Sequence, residues 1–179
     1  MKLSQEQIDE TRLLTEEGVY DCCLVQQRFA YKLFRNSVSS LGDVVLFYAP
    51  TKIGPLVLEH ALVVAAELPN TSMFGGVCFA RLYAAQIGSV ITSMTNHDCV
   101  ADESCLFIDG KQASLSMINQ VKDSTIIHLI LPLKEGNTQE SFYTLQLDEE
   151  KTLGLEISII EAFRQLTRSI YIETRRDNF

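Results

Sequence analysis

The spacing of apolar and polar positions changes several times along this 179-residue chain, and each change marks an element. Residues 25–35 place Phe29 and Leu33 four apart, with Ala30 and Phe34 beside them, which predicts a helix ended by residues 36–42. Residues 43–49 are rich in β-branched and aromatic side chains and predict a strand closed by Pro50. Residues 51–56, with Lys52, Gly54 and Pro55, read as a loop. Residues 57–68 are apolar throughout. Their Leu, Ala and Glu content suits a helix, while Val63-Val64 suits a short strand. Pro69 to Ser72 break the pattern, with Ser72 as a helix N-cap. A helix follows from residue 73 to about 92, with Val77, Leu82 (or Ala80 and Ala84), Ala85 and Ile91 on its apolar side. Gly75-Gly76 near its start suit close packing or a ligand. Asn96-His97-Asp98 begin a polar connection.

Residues 105–133 read as three consecutive strands. The first runs into an Asp109-Gly110 turn, the second starts at Gln112, and the third follows the link at residues 120–123. A hydrophilic loop at 134–140 precedes an alternating stretch, 142–147, which predicts a strand, and a turn at 148–151. Leu155, Ile159, Phe163, Leu166 and Ile170 recur at steps of four and three, predicting an amphipathic helix to about residue 174. Residues 4–17 are acidic with a weak apolar stripe, so residues 1–20 are expected to form a short helix or a loosely attached arm. Strands clustered in mid-chain between helices indicate a single α+β domain with a mostly antiparallel sheet.

Composition narrows the function classes. The formal charge is −8, from 15 basic and 23 acidic residues, and the basic clusters are only Arg175-Arg176 and the loose Arg28/Lys32/Arg35 set. Nucleic-acid binding by counterion release needs a positive surface, so no nucleic-acid partner is expected. No unbroken apolar run reaches the length of a bilayer crossing, so no membrane partner is expected. The N-terminus carries no apolar signal core, which points to a cytoplasmic location. The five cysteines include an adjacent pair, Cys22-Cys23, and the scattered Cys78, Cys99 and Cys105. They read as reduced thiols, mostly buried.

Candidate chemistry concentrates in the three strands. Alternation puts Gln112, Ser114 and Ser116 on one face of the second strand, opposite Ala113, Leu115 and Met117. His128 lies mid-way along the third strand. If the two strands pair with polar faces together, these four side chains converge, with Lys111 at the turn able to reach around. The bland alternative is a half-solvated sheet face with His128 in the core. A serine nucleophile is not supported, because there is no G-x-S-x-G elbow. A metal site from His60, His97 and His128 lacks the spacing, and no dinucleotide or Walker loop is present.

The run Leu106-Phe-Ile-Asp-Gly-Lys-Gln-Ala-Ser-Leu-Ser, followed by a strand carrying His128, resembles a segment of the biotin and lipoate protein ligases. That segment reads roughly D-hydrophobic-hydrophobic-x-G-[KR]-K-I-S-G. The aromatic run Arg28-Phe-Ala-Tyr-Lys-Leu-Phe34 and the strand Gly42-Asp-Val-Val-Leu-Phe47 resemble the opening of a small uncharacterised prokaryotic family related to those ligases. The resemblance covers roughly residues 26–133. It implies a ligase-like α+β fold of the class II synthetase type, with ATP, biotin or lipoate as ligands. It also implies ligand contacts at Gln112, Ser114, Ser116, His128, Arg81 and Gly76, with Lys111 and His128 as catalytic candidates. The chain departs from the pattern at one point. Where the ligases place the lysine that approaches the acyl-adenylate phosphate, this chain has Gln112. An amide supplies no charge for a developing oxyanion or phosphate.

Three readings follow. The first is a small-molecule-binding or regulatory protein on a ligase-like scaffold, without the standard ligase chemistry. The second is an acyl- or adenylyl-transfer enzyme with altered residues, in which Cys78, Cys99 or Cys105 is considered as an acyl carrier. The third is a structural homo-oligomer whose sheet face is packing surface.

Overall fold

The computed structural model describes residues 33–38, 42–53, 56–121, 123–133 and 142–176. The expected N-terminal arm, the larger part of the first expected helix, the Cys22-Cys23 pair and the 134–140 loop lie outside them. The elements are β1 (Leu33–Val38), β2 (Gly42–Ile53), β3 (Leu56–Pro69), α1 (Met73–Thr95), β4 (Cys99–Asp102), β5 (Cys105–Ile108), β6 (Lys111–Gln112), β7 (Leu115–Val121), β8 (Ser124–Pro132) and α2 (Glu149–Arg176). The larger sheet is five-stranded with order β1-β2-β3-β8-β7, and the smaller is three-stranded with order β4-β5-β6. Every pairing between these strands is antiparallel.

The centre of the larger sheet explains the ambiguous stretch at 57–68. It is β3, flanked by β2 and β8, with Ala61 to Ala66 buried along its length. A strand covered on both faces loses the polar half of its alternation and reads as a continuous apolar run. Its Leu and Ala content is overridden by pairing on both edges. The helix expected over 25–35 is corrected at its end, where pairing with β2 takes over from the helical spacing. Leu33, Phe34 and Arg35 pair with Phe47, Leu46 and Val45 in β1–β2. The loop expected at 51–56 is likewise strand, since Lys52 pairs with Val57 and Ile53 with Leu56. Pro50 does not end β2. The register shifts between Ala49 and Thr51, so the strand absorbs a residue without an N–H as an irregularity and continues.

Both helices lie against one face of the larger sheet. Leu62, Val64, Ala66, Ile127, Leu129 and Leu131 from that face join Phe79, Tyr83, Ile87, Leu155, Ile159 and Phe163 in one core. Phe79, Tyr83 and Phe163 meet at ring-centroid distances of 5.6 to 5.8 Å, joining α1 to α2. The opposite face, with Ala61, Val63, Ala65, Ile126, His128 and Ile130, is also fully buried. α1 begins as expected. Ser72 adopts extended backbone and its hydroxyl accepts from Gly75 N–H at 3.2 Å. It ends at Asn96, whose left-handed backbone returns its N–H to Thr92 O. By length and composition α1 also suffices to cross a bilayer, which the search for unbroken apolar runs missed. Its buried residues are those of the core. α2 starts earlier than expected, because residues 148–151 are not a free turn. The Asp148 carboxylate accepts from Lys151 N–H at 2.8 Å and caps the helix.

The strand expected at 142–147 is also corrected. Phe142 makes one isolated parallel bridge to Gln112, and the rest carries no ladder. Tyr143 N–H donates to Gln112 O, but Leu145 N–H donates to Pro132 O. The two donors reach two different strands, β6 and the end of β8, so no register repeats.

Two stability predictions follow from this packing. A Cβ on Gly76 would stand 2.1 Å from Thr125 Cγ2, so this glycine brings α1 onto β8. Gly76→Ala should destabilise the fold by about 1–3 kcal/mol of overpacking, less the gain of about 1 kcal/mol in helix propensity, read as a lower urea midpoint. Adding Thr125→Ser, which removes the clashing methyl, should restore part of the loss. An unchanged midpoint in the single variant would rule out the close contact.

The second concerns alkaline pH. Burial raises the Tyr83 phenol well above its ordinary value. Burial first, then the hydrogen bond to the buried Glu156 carboxylate and its charge, raise Tyr48 as well. Both phenols stay protonated in the fold while the unfolded chain releases their protons near pH 10. Their contribution is therefore complete below that pH and is lost as pH rises above it. Denaturant titrations should show stability falling above about pH 10. In Tyr83→Phe the fall should be shallower by up to about 1.4 kcal/mol per pH unit. That variant should also be somewhat weaker at neutral pH, having lost the 3.0 Å hydrogen bond to Ile159 O. An equal slope in both proteins would refute the assignment.

Candidate functional site

The stretch from 105 to 121 does not run as two simple strands. β5 and β6 form a hairpin closed by Asp109 and Gly110, both at positive φ (51° and 76°). Two such residues in succession make the tight turn that Asp-Gly favours. After Gln112 the chain leaves the smaller sheet, passes through the buried Ala113 and Ser114, and enters the larger sheet as β7. The Ser114 hydroxyl accepts from Leu106 N–H at 2.8 Å, and Ala113 N–H donates to Leu106 O at 2.7 Å. Ser114 therefore joins β5 to the crossover and is not presented to a ligand.

This crossover undoes the expected convergence. In β7–β8, Met117 is opposite His128 and Ser116 is opposite Leu129. Opposed residues in an antiparallel pair share a face, so Ser116 and His128 point to opposite sides of the larger sheet. His128 is fully buried, opposite Ala65 of β3 as well as Met117. Arg81 lies elsewhere, half-exposed on α1 with its guanidinium 3.9 Å from Glu103 in the β4–β5 turn. Gly76 is the packing glycine described above. The structure thus brings together Gln112, Ser114 and Ser116 in sequence, but not His128, Arg81 or Gly76.

Gln112 and Lys111 part company as alternation requires. Gln112 is opposite Phe107 and Lys111 opposite Ile108. The Gln112 amide donates to Ser114 O at 2.9 Å and also hydrogen-bonds the Cys105 thiol. Burial pushes that thiol above its ordinary value, although hydrogen bonds from the Ser116 backbone and Gln112 work against the rise. The Ser116 hydroxyl is buried without a hydrogen-bond partner among the described residues. This half-buried group is neutral and polar. It can orient a bound polar molecule but offers no cation.

On the other side of β6, a cleft of about 460 Å³ opens between the end of α1, residues 142–147 and the first turn of α2. His97, Lys111, Tyr143, Leu145, Gln146 and Lys151 line it. His97 Nδ1 stands 3.1 Å from Asp109 Oδ2, and its ring meets the Tyr143 ring edge-on at 5.9 Å. The Asp-Gly turn thus positions a histidine at the mouth. Periodicity passed over His97, Tyr143 and Lys151, because they meet only when three separate elements are packed together. The one signal was the polar Asn96-His97-Asp98 placed directly after a helix.

No protein-family model matches the chain, and no curated protein sequence matches it. Solved structures do. A protein of unknown function from Pyrococcus horikoshi superposes with a TM-score of 0.54 at 16% identity, over 69% of this chain and 65% of that one. The biotin protein ligase of Aquifex aeolicus in complex with biotin and ATP gives 0.51 at 12% identity, over 60% of this chain and 50% of the ligase. The biotin acetyl coenzyme A carboxylase synthetase of Helicobacter pylori with bound biotinylated ATP gives 0.50 at 11% identity, over 99% of this chain and 80% of that one. The fold resembles that of the biotin protein ligases. The resemblance expected from residues 106–116 therefore holds at the level of the scaffold. The chain spans about two thirds of the Pyrococcus protein and half of the Aquifex ligase, so the likeness concerns the ligase-like core.

Thiol exposure separates the three described cysteines on this ligase-like scaffold, and corrects the expectation that they are mostly buried. Cys78 is exposed, Cys105 half-buried and Cys99 buried. Burial, with the Asp98 carboxylate, pushes Cys99 up to about 11. Since the thiolate is the reacting form, brief alkylation of the native protein at pH 7.5 should modify Cys78 first, Cys105 slowly and Cys99 last. Peptide-resolved mass spectrometry reads the order. Rapid labelling at Cys105 would instead mark an activated thiol.

Proposed function

We propose that this protein binds a small molecule on a biotin-ligase-like scaffold and does not carry out standard ATP-dependent ligation. The observation that carries the reading is the environment of Gln112. By the sequence resemblance, this position corresponds to the ligase lysine. Its side chain here is a half-buried amide held to Ser114 O. A neutral amide in that place orients a polar ligand but does not stabilise the charge that develops at a phosphate or acyl oxyanion. Lys111 does not substitute for it, because it faces the cleft on the other side of β6. Binding without turnover suits a sensor or carrier of a biotin-, lipoate- or nucleotide-like molecule.

A second reading, an acyl- or adenylyl-transfer enzyme with relocated residues, draws on His97. Its Nδ1 is held by Asp109 beside Lys111 in a cleft, an arrangement suited to proton transfer. Cys105 gives this reading little support as an acyl carrier, because burial disfavours its thiolate.

Thermal-shift titrations with ATP, biotin, lipoate and octanoate, run beside a pyrophosphate-release assay, separate the two. Binding to the native state alone adds about 2.7 kcal/mol of stability at a ligand concentration one hundred times Kd. The expected result is a rise in Tm with at least one compound and no pyrophosphate. Pyrophosphate release by the unaltered chain would establish the second reading instead. The absence of any shift would exclude all four compounds as ligands. Gln112→Lys adds the missing cation, and gain of acyl-adenylate formation in that variant would identify the substitution as what holds ligation back.

A further inference from the structure

We propose that the cleft between α1 and α2 is a binding site for a small organic dianion, gripped by Lys111 and Lys151. It is distinct from the Gln112 position and does not depend on the reading above, because Lys111 and Gln112 leave β6 on opposite faces.

Charge makes the first case. The chain carries −8 overall, so a lysine on its surface has carboxylates in excess to pair with. Among the described residues, neither Lys111 nor Lys151 forms an ion pair, although both line the same cleft. Two carboxylates close in sequence to these lysines have partners of their own. Asp109 holds His97 at 3.1 Å, and Asp148 accepts the Lys151 backbone N–H at 2.8 Å as the cap of α2. Two like charges facing one partly enclosed space repel each other, and a bound dianion removes that repulsion while gaining two charge-assisted hydrogen bonds.

The walls make the second case. The volume of about 460 Å³ falls in the range of small-molecule sites. The N–H groups of Tyr143 and Leu145 turn toward β6 and β8, and the Leu147 N–H turns back to Leu145 O at 3.0 Å. The intervening Thr144 and Gln146 N–H groups have no backbone partner among the described residues, and both residues line the cleft. These N–H groups are the neutral donors the proposal assigns to the ligand, beside the two lysines. Tyr143 and Leu147, both half-buried, supply an apolar wall for a ring or short chain. The ligand chemistry is therefore a doubly charged head on a compact organic body. Phosphate monoesters and dicarboxylates share it.

Isothermal titration of the full chain with phenyl phosphate, phthalate, inorganic phosphate and the uncharged benzyl alcohol tests the proposal. An amide-shift map of the unaltered protein accompanies it. Phenyl phosphate or phthalate should bind, and the tighter of the two identifies the head group. Benzyl alcohol should not bind, and inorganic phosphate should bind more weakly for want of the organic body. Amide shifts should centre on Lys111, Thr144 and Gln146. Lys111→Gln and Lys151→Gln should each weaken binding roughly tenfold, with Arg81→Gln unchanged as the control. Lack of binding by both organic dianions at millimolar concentration would overturn the proposal. So would undiminished binding in the double lysine variant, or shifts clustered away from the cleft. The map on the unaltered protein decides the matter even if a variant fails to fold.

Discussion

A pair of hydrogen bonds to Leu106 marks where this chain changes sheets. Leu106 N–H donates to the buried hydroxyl of Ser114, and the neighbouring Ala113 N–H returns to Leu106 O. Together they end the smaller sheet at Gln112 and hand the chain to the larger sheet at Leu115. Everything of chemical interest is arranged about this crossover. Lys111, just before it, faces the cleft. Gln112 turns the other way onto Ser114 O and Cys105. Ser116, just after it, belongs to a different sheet with its own alternation. A buried hydroxyl acceptor replaced by a methyl would leave the Leu106 N–H without its partner, a cost in the range of about 1–3 kcal/mol. Ser114 is thus a residue whose polarity serves the fold.

The crossover also explains what was legible in the sequence and what was not. Features set by short-range physics read through. Ser72 as a cap, the Asp109-Gly110 turn, the extent of α1 and the stripe from Leu155 to Leu166 depend on neighbours within a turn or two of chain, whereas the buried face of α1 includes Ala80, Ala84 and Ile91 and leaves Leu82 and Ala85 exposed. The α+β class follows from them. β3 was ambiguous because a central strand has no exposed face to write polar residues on. Residues 142–147 alternate like a strand, but their N–H groups are shared between β6 and β8, which only the packed structure reveals. The four-residue convergence on His128 failed for a sharper reason. It assumed one uninterrupted period of two from Gln112 to Ser116, and the chain restarts its register at Ala113-Ser114.

The candidate site shows the same division between local pattern and assembled geometry. Lys111 and Gln112 were singled out because they sit in a recognisable turn-and-strand segment, and their divergence follows from alternation alone. His97 was visible only as a polar residue after a helix. Its value comes from Asp109, twelve positions later, and from the ring of Tyr143. A cleft made by two helix ends and an extended segment has no spacing rule in the sequence, so its lysines looked like ordinary solvated charges.

The likeness to the biotin ligases is one of backbone arrangement, at 11 and 12% identity in the two compared enzymes. A scaffold constrains where strands and helix ends lie, and says little about which side chains stand there. In this chain the two faces of β6 carry opposite electrostatics. One is half-buried, neutral and closed by an amide, a hydroxyl and a thiol whose charged form burial disfavours. The other is open and carries Lys111 and Lys151, with Asp109 beside it holding His97 and Asp148 capping α2. On a strand of two residues, one register step separates them. Any charge needed at the first face must come from a bound ligand or a substituted residue. At the second, Lys111 and Lys151 already supply it, and among the described residues neither forms an ion pair.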